Sequence, residues 1–435
     1  MPLDHEAHKA SGKGSSIVHF IAQKSCDTIG SLLSISRSTV KRGRYIMRKQ
    51  LTIIGFTLFT IFIGFGIVIP LLPVMVQETG APEYHFNIML AAYSAVSFVV
   101  SPFWGALSDR IGRKPVLIAG VLGFSASFLL FGLSSGNLGL MYFSRILGGL
   151  FSGATTACAV AYVADITNED NRTKGMGVVG MSIGLGFIFG PAIGGILSRF
   201  GHSVPFFTAS VISLITAVFI VRVLKESLAV DQRTPSGKSG SRWAAFTGSV
   251  KYLYILLFLV TFTLAGLEGT LQFFQMQAFG ATPEDVGYMF LASGIVGALI
   301  QGGFVRRYIK KGDEPKYIRI GFLLQGLGFI LLIFSDSLVT AMIYLSVFGA
   351  GNALLRPCLT SLITQKTTVG QGAASGLSSS MDSLGRVGGP LLAALLYGMS
   401  VELPFYVSAV VCVAALFLVS LYVIRSKDLK SYSNR

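Results

Sequence analysis

From about residue 50 to residue 424 the chain alternates long apolar runs with short polar ones. A bilayer core takes about 20 consecutive apolar residues per helix, and windows of about that length predict spans near 51–76, 86–107, 115–134, 138–163, 175–198 and 205–224. A polar segment holding Asp231, Arg233, Pro235, Lys238 and Arg242 follows, and then six more spans near 251–278, 285–309, 317–335, 339–365, 371–398 and 403–424. The expected architecture is an all-α membrane protein. Its twelve transmembrane helices form two pseudo-symmetric six-helix bundles, 50–224 and 250–425, joined by a linker at 225–249 and followed by a tail at 426–435.

Residues 1–49 break the pattern: they are rich in Ser and Gly and carry nine Lys and Arg against Asp4, Glu6 and Asp27. No apolar stretch with a cleavage site follows, so a secretory signal is excluded. The segment reads either as a disordered cytoplasmic arm or as an extension upstream of a start at Met47. The positive residues also orient the spans. Arg110, Arg113 and Lys114, then Arg172 and Lys174, then Arg306 and Arg307, follow even-numbered spans, whereas loops after odd-numbered spans hold little but Arg199. Basic loops stay inside, which predicts that both termini are cytoplasmic.

A duplication is visible within the chain. Leu185-Gly-Phe-Ile-Phe-Gly-Pro191 aligns with Leu384-Gly-Arg-Val-Gly-Gly-Pro390 at an offset of 199 residues, each in the fifth span of its half. Two related bundles about a site at the bilayer midplane is what such symmetry predicts.

Composition narrows the function. The chain is 52% hydrophobic and 13% charged with a formal net charge of +15. The basic residues sit in loops and at the ends without an aromatic-interleaved module, so topology explains them and nucleic acid is not an expected partner. The four cysteines are scattered singly, which indicates neither a disulfide framework nor a metal site. Gly237-Lys238-Ser239 lacks the preceding glycine and strand of a nucleotide loop, so ATP is not expected either. No catalytic constellation is visible, and the protein is read as a non-enzyme without cofactors.

Charge inside a membrane is costly and marks function by default. Glu268 follows a long apolar run, and Glu268, Gln272 and Gln275 share one helix face at spacings of four and three. That stripe predicts a cavity lining in which Glu268 loads and releases a proton; the duller alternative is a carboxylate near the outer surface. Arg145 in span four, Asn352 and Arg356 in span ten, and Asp382 and Arg386 in span eleven are the other interior candidates. Asp382 and Arg386 are one turn apart, so they are expected to pair as a structural bridge or to enter a substrate pocket. Phe65 heads the aromatics placed to stack flat ligands, with Phe62, Phe187, Phe262, Phe273 and Tyr288.

The loop Gly105-Ala-Leu-Ser-Asp109-Arg110-Ile-Gly112-Arg113-Lys114-Pro115 joins two antiparallel spans tightly, and Asp109 and Arg113 offer charges able to pair across a bundle interface. The fifth span carries Gly186, Gly190, Pro191, Gly194 and Gly195, small residues that let helices approach. These two strings, with Gly66-Ile-Val-Ile-Pro70-Leu-Leu-Pro73, Glu268 and Arg356-Pro357, resemble the drug–proton antiporter group of the major facilitator superfamily, with similarity to bacterial multidrug and tetracycline exporters. The resemblance covers about residues 50–425. It implies that Asp109, Arg110, Gly112 and Arg113 gate the cytoplasmic side, that Gly186 to Gly195 is the antiporter motif, and that Arg145 and Glu268 couple protons; the alternatives are a generic packing seam for the glycines and a partner for backbone carbonyls for Arg145. Gln272, Gln275, Arg356, Asn352, Phe65, Asp382 and Arg386 are assigned to the substrate cavity. Relatives often carry an acid just before the Arg356 segment, where this chain has Asn352 and Ala353, so a second protonation site in that span is not implied. The expected protein is a monomer in a bacterial inner membrane that exports small hydrophobic or cationic drugs in exchange for protons. A proton-coupled transporter of one metabolite, such as a sugar or amino acid, is the alternative.

Overall fold

A computed structural model describes residues 47–134, 136–167, 169–228, 246–309, 312–367 and 371–433. The expectations for residues 1–46 and for the middle of the linker lie outside the described residues. The chain divides into two units at Thr52 and Ile53. Of the first, residues 47–52 are described and are helical; the rest of this description concerns the second.

The helices run α1 Met47–Glu78, α2 Tyr84–Ile111, α3 Arg113–Gly132, α4 Leu138–Ile166, α5 Glu169–Leu197, α6 Val204–Val223, α7 Val250–Phe279, α8 Pro283–Leu299, α9 Glu314–Ile333, α10 Leu338–Lys366, α11 Gln371–Tyr397 and α12 Leu403–Ser433. Most ends fall within a few residues of the hydropathy boundaries; α5 begins earlier and α12 runs further. Among the described residues, eleven of the twelve have an apolar stretch long enough to cross a membrane. The exception is α11, whose N-terminal half is rich in Ser and Gly and which carries Asp382 and Arg386. α8 is also shorter than its apolar run, because Ile300–Val305, with Gly302 and Gly303, winds into a π-turn before a last helical turn at Arg306–Tyr308.

Local chemistry sets the reversals. α7 stops at Gly280, which takes a φ of 73° and lets the N–H groups of Gly280 and Ala281 bond back to Met276 and Gln275. Two residues on, Thr282 and Asp285 form a reciprocal capping box that starts α8. Between α2 and α3, Gly112 at φ 105° makes the turn. The N-terminus of α3 is then capped from far away in sequence, where the Glu226 carboxylate accepts from the backbone N–H groups of Arg113 (2.8 Å) and Lys114 (3.1 Å).

The internal repeat maps onto equivalent seams. Gly186 and Gly190 lie against α1, where a Cβ on Gly190 would come within 2.7 Å of the Gly66 Cα. Their counterparts Gly385 and Gly389 lie against α7 at Phe262 and Gly266. Each seam packs backbone on backbone, which only glycine permits. Two apolar cores result, one built on α1 to α6 and joined by Phe273, the other on α7 to α12. The halves meet along α5 with α8 and along α2 with α11, a pseudo-symmetric pair of contacts. Those contacts sit toward one end of the molecule. There Gly195 touches Pro283 and Gly287, Asn87 touches Gly269, Phe86 packs edge-on against Phe273, and Arg199 forks onto Glu284. The α5–α8 contact reaches as far as Ile188 against Gly294; toward the other end Val99 and Phe103 of α2 and Leu299 of α8 are exposed. The contacts named between the halves thus gather at the Arg199 end and the middle of the molecule.

Candidate functional site

Glu268 sits about 27 Å along α7 from its start and about 16 Å from its end, so it is well inside the span and not at a surface. It is buried, and its carboxylate pairs at 3.5 Å with Nη1 of Arg386. α11 delivers that arginine because Gly385 and Gly389 draw its backbone onto α7. The guanidinium also lies over two rings of the other half, 4.5 Å from the Phe187 centroid and 5.0 Å from Phe65, a favourable arrangement for a desolvated cation. Phe187 occupies in the first repeat the position that Arg386 occupies in the second, so two equivalent residues meet face to face between the halves.

The aromatic group continues inward. Phe65 packs on Tyr93 at 5.4 Å, and the Tyr93 ring carries the Arg145 guanidinium at 4.4 Å. Arg145 is 3% exposed. Its Nε and Nη2 have no hydrogen-bond partner among the described residues. The sequence singled out Phe65 and Phe187 but not Tyr93, since one tyrosine in an apolar helix carries no periodic signal.

Asp382 and Arg386 do not pair with each other, contrary to the bridge expected from their spacing. Asp382 accepts from Arg356 of α10 at 2.9 Å and from the Thr261 hydroxyl at 2.5 Å, and Arg356 also donates to Thr261. Each charge on α11 takes its partner from a different neighbouring helix. Both also meet α7, Arg386 through Glu268 and Asp382 through Thr261, so each is satisfied across a helix interface and neither side chain needs its i,i+4 neighbour. The Arg356–Asp382 pair is about one-third exposed on both sides, unlike Glu268.

Gln272 and Gln275 do share the buried face of Glu268, yet their hydrogen bonds run elsewhere. The Gln272 amide donates to the Ala281 carbonyl, and Gln275 accepts from the Ser335 hydroxyl. They bind α7 to neighbouring turns and not to the group around Arg386. Asn352 has its side-chain oxygen buried without a hydrogen-bond partner among the described residues. Phe273 packs between Phe86, edge-on, and Tyr397, tilted; Tyr288 receives a bond from Arg199, and Phe262 packs on the α11 glycines. An apolar groove of about 430 Å³ between α9 and α12, lined by Phe322, Leu323, Tyr406 and Val413, shares no residue with the charged cluster.

At the Arg113 end, Arg113 pairs with Asp109 at 2.6 Å and with Asp165 of α4 at 3.1 Å, and donates to Ser108. All these partners belong to the first half, not across the interface as the charges alone suggested. The spacing signal could not reveal Asp165 or Glu226, which converge only through the fold. In the fifth helix Gly186, Gly190 and Gly194 face α1, whereas Gly195 and the Pro191 carbonyl face α8 at Pro283 and Gly287. The motif thus cements one half and also seals it to the other.

The Major Facilitator Superfamily description matches residues 54–367 and 312–434. Multidrug resistance protein 2 of Bacillus subtilis (strain 168) is 33% identical over 380 residues, 85% of this chain and 94% of that protein. Quinolone resistance protein NorA of Staphylococcus aureus (strain Mu50 / ATCC 700699) is 29% identical over 378 residues, 86% and 96% of the two chains. Among solved structures, the human organic anion transporter MFSD10 (TETRAN) superposes with a TM-score of 0.66 at 27% identity, covering 86% of this chain and 99% of that one.

Proposed function

Because the chain belongs to the major facilitator superfamily, a family of non-enzymatic multi-pass membrane transporters, we propose that it exports small hydrophobic drugs in exchange for protons. The observation that carries this reading is the buried Glu268–Arg386 pair, set between the halves on a bed of Phe65 and Phe187. A carboxylate held by an arginine from another helix is a two-state element. Deprotonated, it anchors α11 to α7; protonated, it loses the charge that holds Arg386, and the guanidinium is left to the aromatic rings. The rings offer stacking surface to a flat apolar compound, so occupancy by drug and occupancy by proton bear on the same arginine. The names of the bacterial relatives, for multidrug and quinolone resistance, support a drug as the cargo.

The asymmetry of contacts supports an alternating-access reading. The Arg199 end is sealed by α5 against α8, and in this reading the Arg113 end is parted. With the basic loops inside, the Arg113 end faces the cytoplasm, so this is the state that admits cargo from within. Closing it brings the Asp109–Arg113–Asp165 cluster toward the second half as a latch, while residues 50–224 and 250–425 move as two bodies in a bacterial plasma membrane. The test is a Glu268→Gln variant in proteoliposomes with a pH-sensitive dye. Drug-induced proton movement should vanish while the thermal unfolding of the purified protein stays near that of the parent. Retained proton movement removes Glu268 from coupling.

A further inference from the structure

The central group holds three arginines, Arg145, Arg356 and Arg386, against two acids, Glu268 and Asp382. Both acids are already engaged. Glu268 is held by Arg386, and Asp382 by Arg356 and Thr261. A cationic ligand therefore finds no free carboxylate in this state. The uncompensated charge is Arg145, which no acidic side chain neutralises among the described residues, although it is nine-tenths and more buried. A buried guanidinium without a counter-charge is among the costliest arrangements a protein keeps.

The chemistry of the unused atoms is specific. Nε and Nη2, the two donors without partners, form one edge of the guanidinium, the edge that presents two parallel N–H groups to the two oxygens of a carboxylate. Arg199 uses that same edge on Glu284 in this protein. Tyr93 under the guanidinium and Phe65 beside it provide an apolar face next to the donors. The combination suits an aromatic or otherwise lipophilic body with one acidic group.

We propose that the cargo carries a carboxylate or equivalent acidic group, as a lipophilic organic acid or a zwitterion, and that this group docks on the Nε–Nη2 edge of Arg145 with its apolar body against Tyr93 and Phe65. This rests on the transporter reading above and assigns its substrate class. Tyr93 shields the guanidinium in the present state, so docking requires its ring to turn aside.

The test uses the full chain in nanodiscs without any ion gradient, and three probes of one shape: 2-naphthoate, 2-naphthamide and 2-naphthylmethylammonium. Calorimetric titration near neutral pH should show the acid binding about tenfold or more tighter than the amide and the ammonium, the range for gaining a charge-assisted bidentate contact. In an Arg145→Gln variant the acid should fall to the level of the amide, with the amide itself changed by less than about twofold. The ammonium binding best, all three binding equally to the parent protein, or the acid preference surviving in Arg145→Gln would each overturn the assignment. The rank order in the parent protein needs no variant, so misfolding of Arg145→Gln leaves the proposal open to refutation. Proton flux with the neutral amide in proteoliposomes runs in parallel. Flux without acid preference defeats this inference and spares antiport; acid preference without flux from any probe does the reverse.

Discussion

Gly195 is where closure of the Arg199 end can be tested most directly. A Cβ there would lie 2.7 Å from the Pro283 carbonyl oxygen, 3.0 Å from the Glu284 Cα and 3.1 Å from the Gly287 Cα. Non-bonded contacts settle near 3.5–4.0 Å, so Gly195→Ala forces α8 back by roughly 0.5–1 Å. All three neighbours are backbone and none can rotate away. Overpacking of this kind costs roughly 1–3 kcal/mol. The cost falls only on states in which α5 and α8 touch, so it converts to a shift of roughly 5- to 150-fold toward states open at the Arg199 end. Gly190→Ala is the control: its Cβ meets Gly66 and Ile63 of α1 within the same half, so it penalises every state alike. Spin labels at Phe200 and Met399, both more than 70% exposed beyond α5 and α11, report the separation of the halves at this end by pulsed electron resonance. We expect the longer-distance population to grow in Gly195→Ala. In Gly190→Ala the melting temperature should drop with no new distance. An unchanged distance distribution in a folded Gly195→Ala protein would refute the idea that this contact holds the end shut.

Other perturbations probe the polar network. Breaking the Arg356–Asp382 pair from either side should lower stability by about 1–2 kcal/mol, less than a fully buried pair because both groups are partly exposed. A double-mutant cycle of Arg356→Leu and Asp382→Leu, read by thermal unfolding in detergent, should return a coupling of at least about 0.5 kcal/mol; additive losses would mean that the two do not interact. Glu226→Ala removes the acceptor for two backbone N–H groups at the start of α3. We expect a loss of about 1–2 kcal/mol and faster amide exchange at Arg113 and Lys114. Unaltered exchange at those two amides would show that Glu226 is not their cap.

Much of the fold was legible in advance because lipid imposes a strong rule. With no water to satisfy peptide groups, each crossing must be a helix of bilayer length, and run lengths report this directly. The repeat at Gly186–Pro191 and Gly385–Pro390 was equally legible, since glycine at i and i+4 has few uses other than close helix packing. Sequence windows placed α11 closely despite its polar first half, and did less well with α8, where Gly302 and Gly303 give way to a π-turn. Within the candidate site, Glu268, Arg145, Arg356, Asp382 and Arg386 stood out as charges in apolar surroundings. Tyr93, Thr261, Asp165 and Glu226 did not, because each is ordinary in its own segment and matters through a neighbour brought from elsewhere.

What the sequence determined by itself, then, is the set of helices, the two-fold echo between the halves and the few charges that lipid makes expensive. Those depend on composition and spacing within single segments. The pairing of those charges was decided by tertiary structure. Spacing along α11 offers Asp382 and Arg386 to each other, but α7 supplies Glu268 to Arg386 and α10 supplies Arg356 to Asp382. A helix specifies the direction in which a side chain leaves it. What waits a few ångströms away depends on glycine seams and crossing helices that lie scores of residues distant in the chain.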